Sequence, residues 1–204
     1  MSAPGVDILA AWSPKASSAT TRAFDDLPVL AKELAYGAGQ IDPIQAVNPS
    51  LVCDALEADY IEMLCSLSDH PPEDLKIISD KDITCEKTSE LGIGAILNYP
   101  SMSDGAAINN SFDGFNYLRT VTNVGFPNSI YKATIGVEPQ LNVTVTPSVL
   151  SFKSLNEKQQ FKVYVNGPAF TKVSWVVSTD LVWSDGFHNI RSPIVIWTYF
   201  LINF

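Results

Sequence analysis

The chain has 204 residues, 46% hydrophobic and 17% charged, a balance that excludes a disordered polypeptide and allows one large domain or two small ones. A net charge of −9 speaks against a nucleic-acid partner, because phosphate binding needs a basic face. Residues 50–90 hold eleven Asp and Glu against three Lys, so the middle reads as a solvated acidic segment between two less charged parts.

The opening Met1-Ser2-Ala3-Pro4-Gly5 has no basic region ahead of a long apolar run, so no signal peptide is read there. Val6 to Trp12 is a short apolar run with the flanks of a buried strand, and Lys15 to Thr21 is a polar loop. Leu27 to Leu34 suits a turn or two of helix, broken at Gly37-Ala38-Gly39. Asp42-Pro43 opens a short capped helix that Pro49 ends. Between Glu57 and Leu67 the apolar residues Tyr60, Ile61, Leu64 and Leu67 fall at helical spacing, and His70-Pro71-Pro72 stops the run. From there to Leu91 the chain reads as polar and irregular.

Beyond Ala95 the period becomes two. Tyr131, Ala133, Ile135 and Val137 alternate with polar residues, as do Leu141, Val143 and Val145, then Phe161, Val163 and Val165, then Val173, Trp175 and Val177. Leu181-Val182-Trp183-Ser184-Asp185-Gly186 leads into a hairpin turn. Such strands, about seven in number with turn signals between them, predict a mainly β chain with an antiparallel immunoglobulin-like sandwich. Aromatic residues at alternate positions (Trp175, Trp183, Phe152, Phe161) are expected in its core rather than on a sugar-binding face. Ile194 to Phe204 is too short and too interrupted to span a membrane and reads as a last strand with an apolar tail.

Catalytic candidates are few. The two histidines, His70 in an acidic loop and His188 after a hairpin turn, read as surface or structural residues. Asp7 reads as an acid near a strand end. Two His and three dispersed Cys give no zinc spacing, and no cofactor motif is present. Asn109-Asn110-Ser111 and Asn142-Val143-Thr144 are glycosylation sequons, and Asn142 falls on the polar side of its strand, where a glycan is accommodated.

A set of blocks carries a further signal: Ser2-Ala3-Pro4-Gly5 through Ser13, Ala35-Tyr36-Gly37-Ala38-Gly39, Ala46-Val47-Asn48-Pro49-Ser50-Leu51-Val52, and Asn98-Tyr99-Pro100-Ser101. Arg119 to Gly125, Pro147 to Phe152, and Leu181 to Gly186 follow in order. Together they resemble the C-terminal region of the plant subtilisin-like serine proteases, the cucumisin-like subtilases. The resemblance implies a remnant of an α/β catalytic domain over residues 1–90 and a fibronectin type III-like sandwich over 95–204. It implies an extracellular glycoprotein without cofactor or metal. A subtilase needs Ser, His, Asp and an oxyanion donor. The family's Gly-Thr-Ser-Met block, due after Ser13, does not occur here, and none of these positions is matched.

The expectation is therefore a truncated subtilase without peptidase activity of its own. The alternative is an interaction module whose partner is an intact subtilase or its prodomain; no nucleic acid or membrane is expected. The resemblance also pairs Cys65 with Cys85, a loop whose closure would contribute about 3 kcal/mol. Two free thiols are the other possibility. Cys53 stands where the family has Tyr and is expected to be unpaired. Lacking the neighbours of the Val6–Trp12 strand, residues 1–90 are expected to pack poorly while 95–204 fold as a unit.

Overall fold

The computed structural model describes residues 46–66, 76–77, 83, 85, 97–109, 112–171 and 176–199. The expectations for Val6–Trp12, Leu27–Leu34, Asp7 and His70, and the place of Trp175, lie outside the described residues. A short strand β1 (Leu51–Val52) precedes helix α1 (Glu57–Ser66). Eight strands follow: β2 (Met102–Ala107), β3 (Phe112–Asn123), β4 (Ser129–Ile135), β5 (Asn142–Thr146), β6 (Val149–Phe152), β7 (Lys158–Gly167), β8 (Val176–Ser184) and β9 (Asn189–Tyr199).

These strands form two sheets, one in the order β1-β3-β7-β5 and the other β2-β9-β8-β4-β6. Pairing is antiparallel except for β2 and β9, which run parallel with Met102 opposite Ile194 and Ala107 opposite Tyr199. The mainly β sandwich expected from the alternation is the fold observed.

Alternation puts one row of each strand between the sheets. Phe161, Val163 and Val165 of β7 face Leu181 and Trp183 of β8, and all five are buried. Trp183 meets Phe161 edge-on, with ring centres 5.1 Å apart, and Tyr131 meets Phe152 edge-on at 5.9 Å. Aromatic pairs at this spacing contribute about 0.5–1.5 kcal/mol beyond the area they bury. Of the aromatic residues expected in the core, Trp183, Phe152 and Phe161 are there.

Two features escape simple alternation. From Ser192 to Ile196 every residue of strand β9 is buried, so inward and outward rows alike are covered there. In β3 the inward row reads Tyr117, Arg119, Val121, so a guanidinium occupies a core position. Opposite Phe112–Phe115 the register of β3 shifts, and Gly114 there has φ +116, a conformation L side chains rarely adopt.

Helix α1 is held at its start by Asp59, whose Oδ2 accepts the Leu56 amide at 2.6 Å, half of a capping box. The helical spacing read over Glu57–Leu67 corresponds to it.

Candidate functional site

The segment between Asn48 and Asp54 runs along one end of the sandwich as a strap. Leu51 and Val52 pair with Asn123 and Thr122 of β3. The Ser50 carbonyl accepts the amides of Val124 at 2.9 Å and Gly125 at 3.1 Å. Contact there is close: a Cβ on Gly125 would lie 3.1 Å from Ser50 Cβ. Leu51 enters the core with 4% of its surface exposed, and half-buried Cys53 rests against the same cluster. Asp54 then turns outward. Its Oδ2 accepts the Thr122 hydroxyl at 2.6 Å and faces Lys158 Nζ at 3.1 Å. The Thr122 hydrogen bond first, and Lys158 after it, hold the Asp54 carboxyl below its usual range.

Two amide side chains organise this end. Asn98 Nδ2 donates to the carbonyls of Asp54 and Thr120, and its Oδ1 accepts the Thr120 amide, each at 2.9 Å. Fully buried Asn123 donates through Nδ2 to Phe126 O and Ser154 O and accepts the Gly125 amide on Oδ1. Arg119 lies nearby, donating to Leu118 O at 2.9 Å and Ser101 O at 3.4 Å, with its guanidinium 5.4 Å from the centre of the Tyr117 ring. Burial pushes the Arg119 pKa down and the Cys53 thiol up. An inert, protonated thiol follows for Cys53.

Beside the strap an open cleft of about 320 Å³ is lined by Asp54, Leu56, Asp59, Asn98, Leu118, Thr120 and Lys158. Its charged groups have partners already: Asp54 with Lys158, and Asp59 with the start of α1.

The only histidine among the described residues is His188. Its Nδ1 lies 3.0 Å from Asp185 Oδ2, the way an acid orients a catalytic imidazole. Nε2, however, faces Asn48 Nδ2 at 3.4 Å, and an amide is no nucleophile. Asp185 also accepts the amides of Phe187 and His188. Burial raises the Asp185 pKa, but those bonds outweigh it and hold the carboxyl low. The pair staples the β8–β9 turn and ties it to the strap. Among the described residues no His, Cys, Asp and Glu group could hold a metal ion.

Cys65 and Cys85 are joined by a disulfide, and Cys53 is free. Asn109 is exposed in a left-handed turn with φ 60, its amide bonded to Phe170 O, and Asn142 is exposed on β5. Upstream of residue 95, the pairing of β1 with β3, the Ser50 hydrogen bonds and buried Leu51 attach this segment to the sandwich.

Comparison with known proteins bears on what this architecture is for. Residues 96–196 match the fibronectin type-III domain family. Over 199 residues the chain is 44% identical to Subtilisin-like protease SBT4.12 of Arabidopsis thaliana, which covers 91% of this chain. It is 46% identical over 169 residues to SBT4.11 of the same plant, covering 81%. The chain is similar to the C-terminal part of subtilisin-like proteases. It spans 26% and 22% of the length of those two relatives, at their C-terminal part. A FixG-related protein from Vibrio parahaemolyticus aligns over 42% of this chain and 78% of its own, at 9% identity and TM-score 0.34, too weak a likeness to bear on function.

Three of the blocks that carried the resemblance, Ala46–Val52, Asn98–Ser101 and Arg119–Gly125, meet at the strap. Ser50 lies against Val124-Gly125, and Asn98 against Thr120. Sequence reading had their order but not this convergence, since nothing local marks a side chain that will bond 22 or 44 residues away.

Proposed function

We propose that these 204 residues serve as the non-catalytic C-terminal portion of a subtilisin-like serine endopeptidase and hydrolyse no peptide bond by themselves. One observation carries the reading: the Asp185–His188 pair points at the Asn48 amide instead of a hydroxyl. The missing Gly-Thr-Ser-Met block supports it from the sequence side. In this reading the strap at Asn48–Asp54 is the joint where the sandwich grips the chain arriving from the catalytic side, so sandwich and joint move together. Passage through an oxidising, extracellular route belongs to the same proposal and is supported by the Cys65–Cys85 bond.

Labelling of the purified chain with a fluorophosphonate active-site probe tests it. No labelling of a chain that melts cooperatively is the expected result. Specific, stoichiometric labelling of one serine overturns the proposal and reveals a nucleophile.

A further inference from the structure

Strand β5 is the outermost strand of its sheet, paired among the described residues with β7 alone. Its sequence is Asn-Val-Thr-Val-Thr, five residues without a charge, and each of the last four is β-branched beside an open backbone edge. Edges of this composition template pairing with another chain unless something blunts them, and Lys, Glu or Pro within the strand is the usual means. None stands inside β5.

What β5 has instead is an acceptor sequence for sugar. A tight turn closed by the Leu141 amide on Glu138 O delivers the chain into the strand, and Leu141 anchors in the core. With period two thereafter, Val143 and Val145 turn inward while Asn142 and Thr144 are exposed on the same outer face. Asn at one position and a hydroxyl two residues on, with Val between, is the N-glycosylation acceptor. Here both members stand in solvent, where an attached glycan disturbs no core contact.

We propose that Asn142 is an acceptor site for an N-linked oligosaccharide, and that the sugar guards the open edge of β5. The inference rests on the reading that the chain passes through a secretory compartment. In the transfer, Nδ2 of Asn142 loses a proton and bonds to C1 of the first sugar of a lipid-pyrophosphate-linked oligosaccharide. The lipid pyrophosphate leaves from that carbon with the bonding electron pair, and nothing is oxidised or reduced.

The test uses the full chain behind a grafted cleavable secretion leader in a eukaryotic secretory host. The leader separates the acceptor question from whether the chain reaches that compartment by its own route. Peptide mapping is expected to find sugar on Asn142, lost completely in Asn142→Gln and in Thr144→Val and retained in Asn109→Gln. The second variant keeps the asparagine and a β-branched residue, so its loss of sugar does not come from misfolding. A secreted chain with intact Cys65–Cys85 and bare Asn142 overturns the site. For the guarding role, light scattering should show Asn142→Gln self-associating at several-fold lower concentration than the glycosylated chain, with Thr146→Lys in that background restoring the monomer. Equal association of the glycosylated and Asn142→Gln chains overturns the guarding role.

Discussion

Replacing Leu51 with Ala asks whether the strap is part of the sandwich or merely lies on it. The substitution removes three carbon atoms from a side chain only 4% exposed within the core cluster. At about 0.8 kcal/mol per methylene the transfer loss is about 2.4 kcal/mol, and an incompletely collapsed cavity brings the total to about 2.5–4 kcal/mol. The measured loss has a ceiling, because a strap weakened past its own docking energy simply comes off while the rest stays folded. Urea titration of the full chain, followed by tryptophan fluorescence with Trp183 buried as the main reporter, reads the difference. For a domain of this size the slope is about 2 kcal/mol per molar urea, so the midpoint should fall by about 1–2 M. Leu56→Ala is the control: Leu56 is 67% exposed, and its loss should stay within about 0.5 kcal/mol. If Leu51→Ala and Leu56→Ala prove indistinguishable, the strap contributes nothing and the domain does begin near residue 95.

Acid should loosen the strap through Asp54. The folded state depresses this carboxyl, so its contribution is fully present above the unfolded value of about 3.9 and is lost as pH falls through the lower folded value. The stability gap between the parent chain and Asp54→Asn should therefore be open at pH 6 and close as the pH falls below about 4; a gap constant with pH refutes the assignment. Gly114→Ala forces a side chain into φ +116 and against the Tyr164 ring, and should cost about 1–3 kcal/mol in the same titration. An unchanged midpoint would show that β3 relaxes there freely.

How much of this was legible depends on what each strand faces. Strands β4, β5 and β7 wet one face, so Tyr131, Val143 and Phe161 sit in readable alternation. Strand β9 is covered on both faces, and its apolar run shows a buried strand without saying which neighbours bury it. Strand β2, Met-Ser-Asp-Gly-Ala-Ala, has almost no strand-forming residues and is held by its pairing with β9. Strand β3 hides its inward row because Arg119 breaks it with a charge. At two residues, β1 is below the length at which periodicity exists; only the resemblance blocks pointed to that stretch. At the strap, Asn98, Asn123 and Gly125 look in sequence like ordinary loop residues, and their roles come from partners far along the chain.

The hydrogen bonds of Asn98 have a consequence for the rim of the sheet. Beyond β1, the outer side of β3 would ordinarily offer the Thr120 N–H and C=O to any passing strand. One carboxamide has taken both, and it also reaches the Asp54 carbonyl. Among the described residues the sheet ends at this point, where a side chain impersonates the backbone of a further strand. A newcomer would have to evict it before forming its first rung.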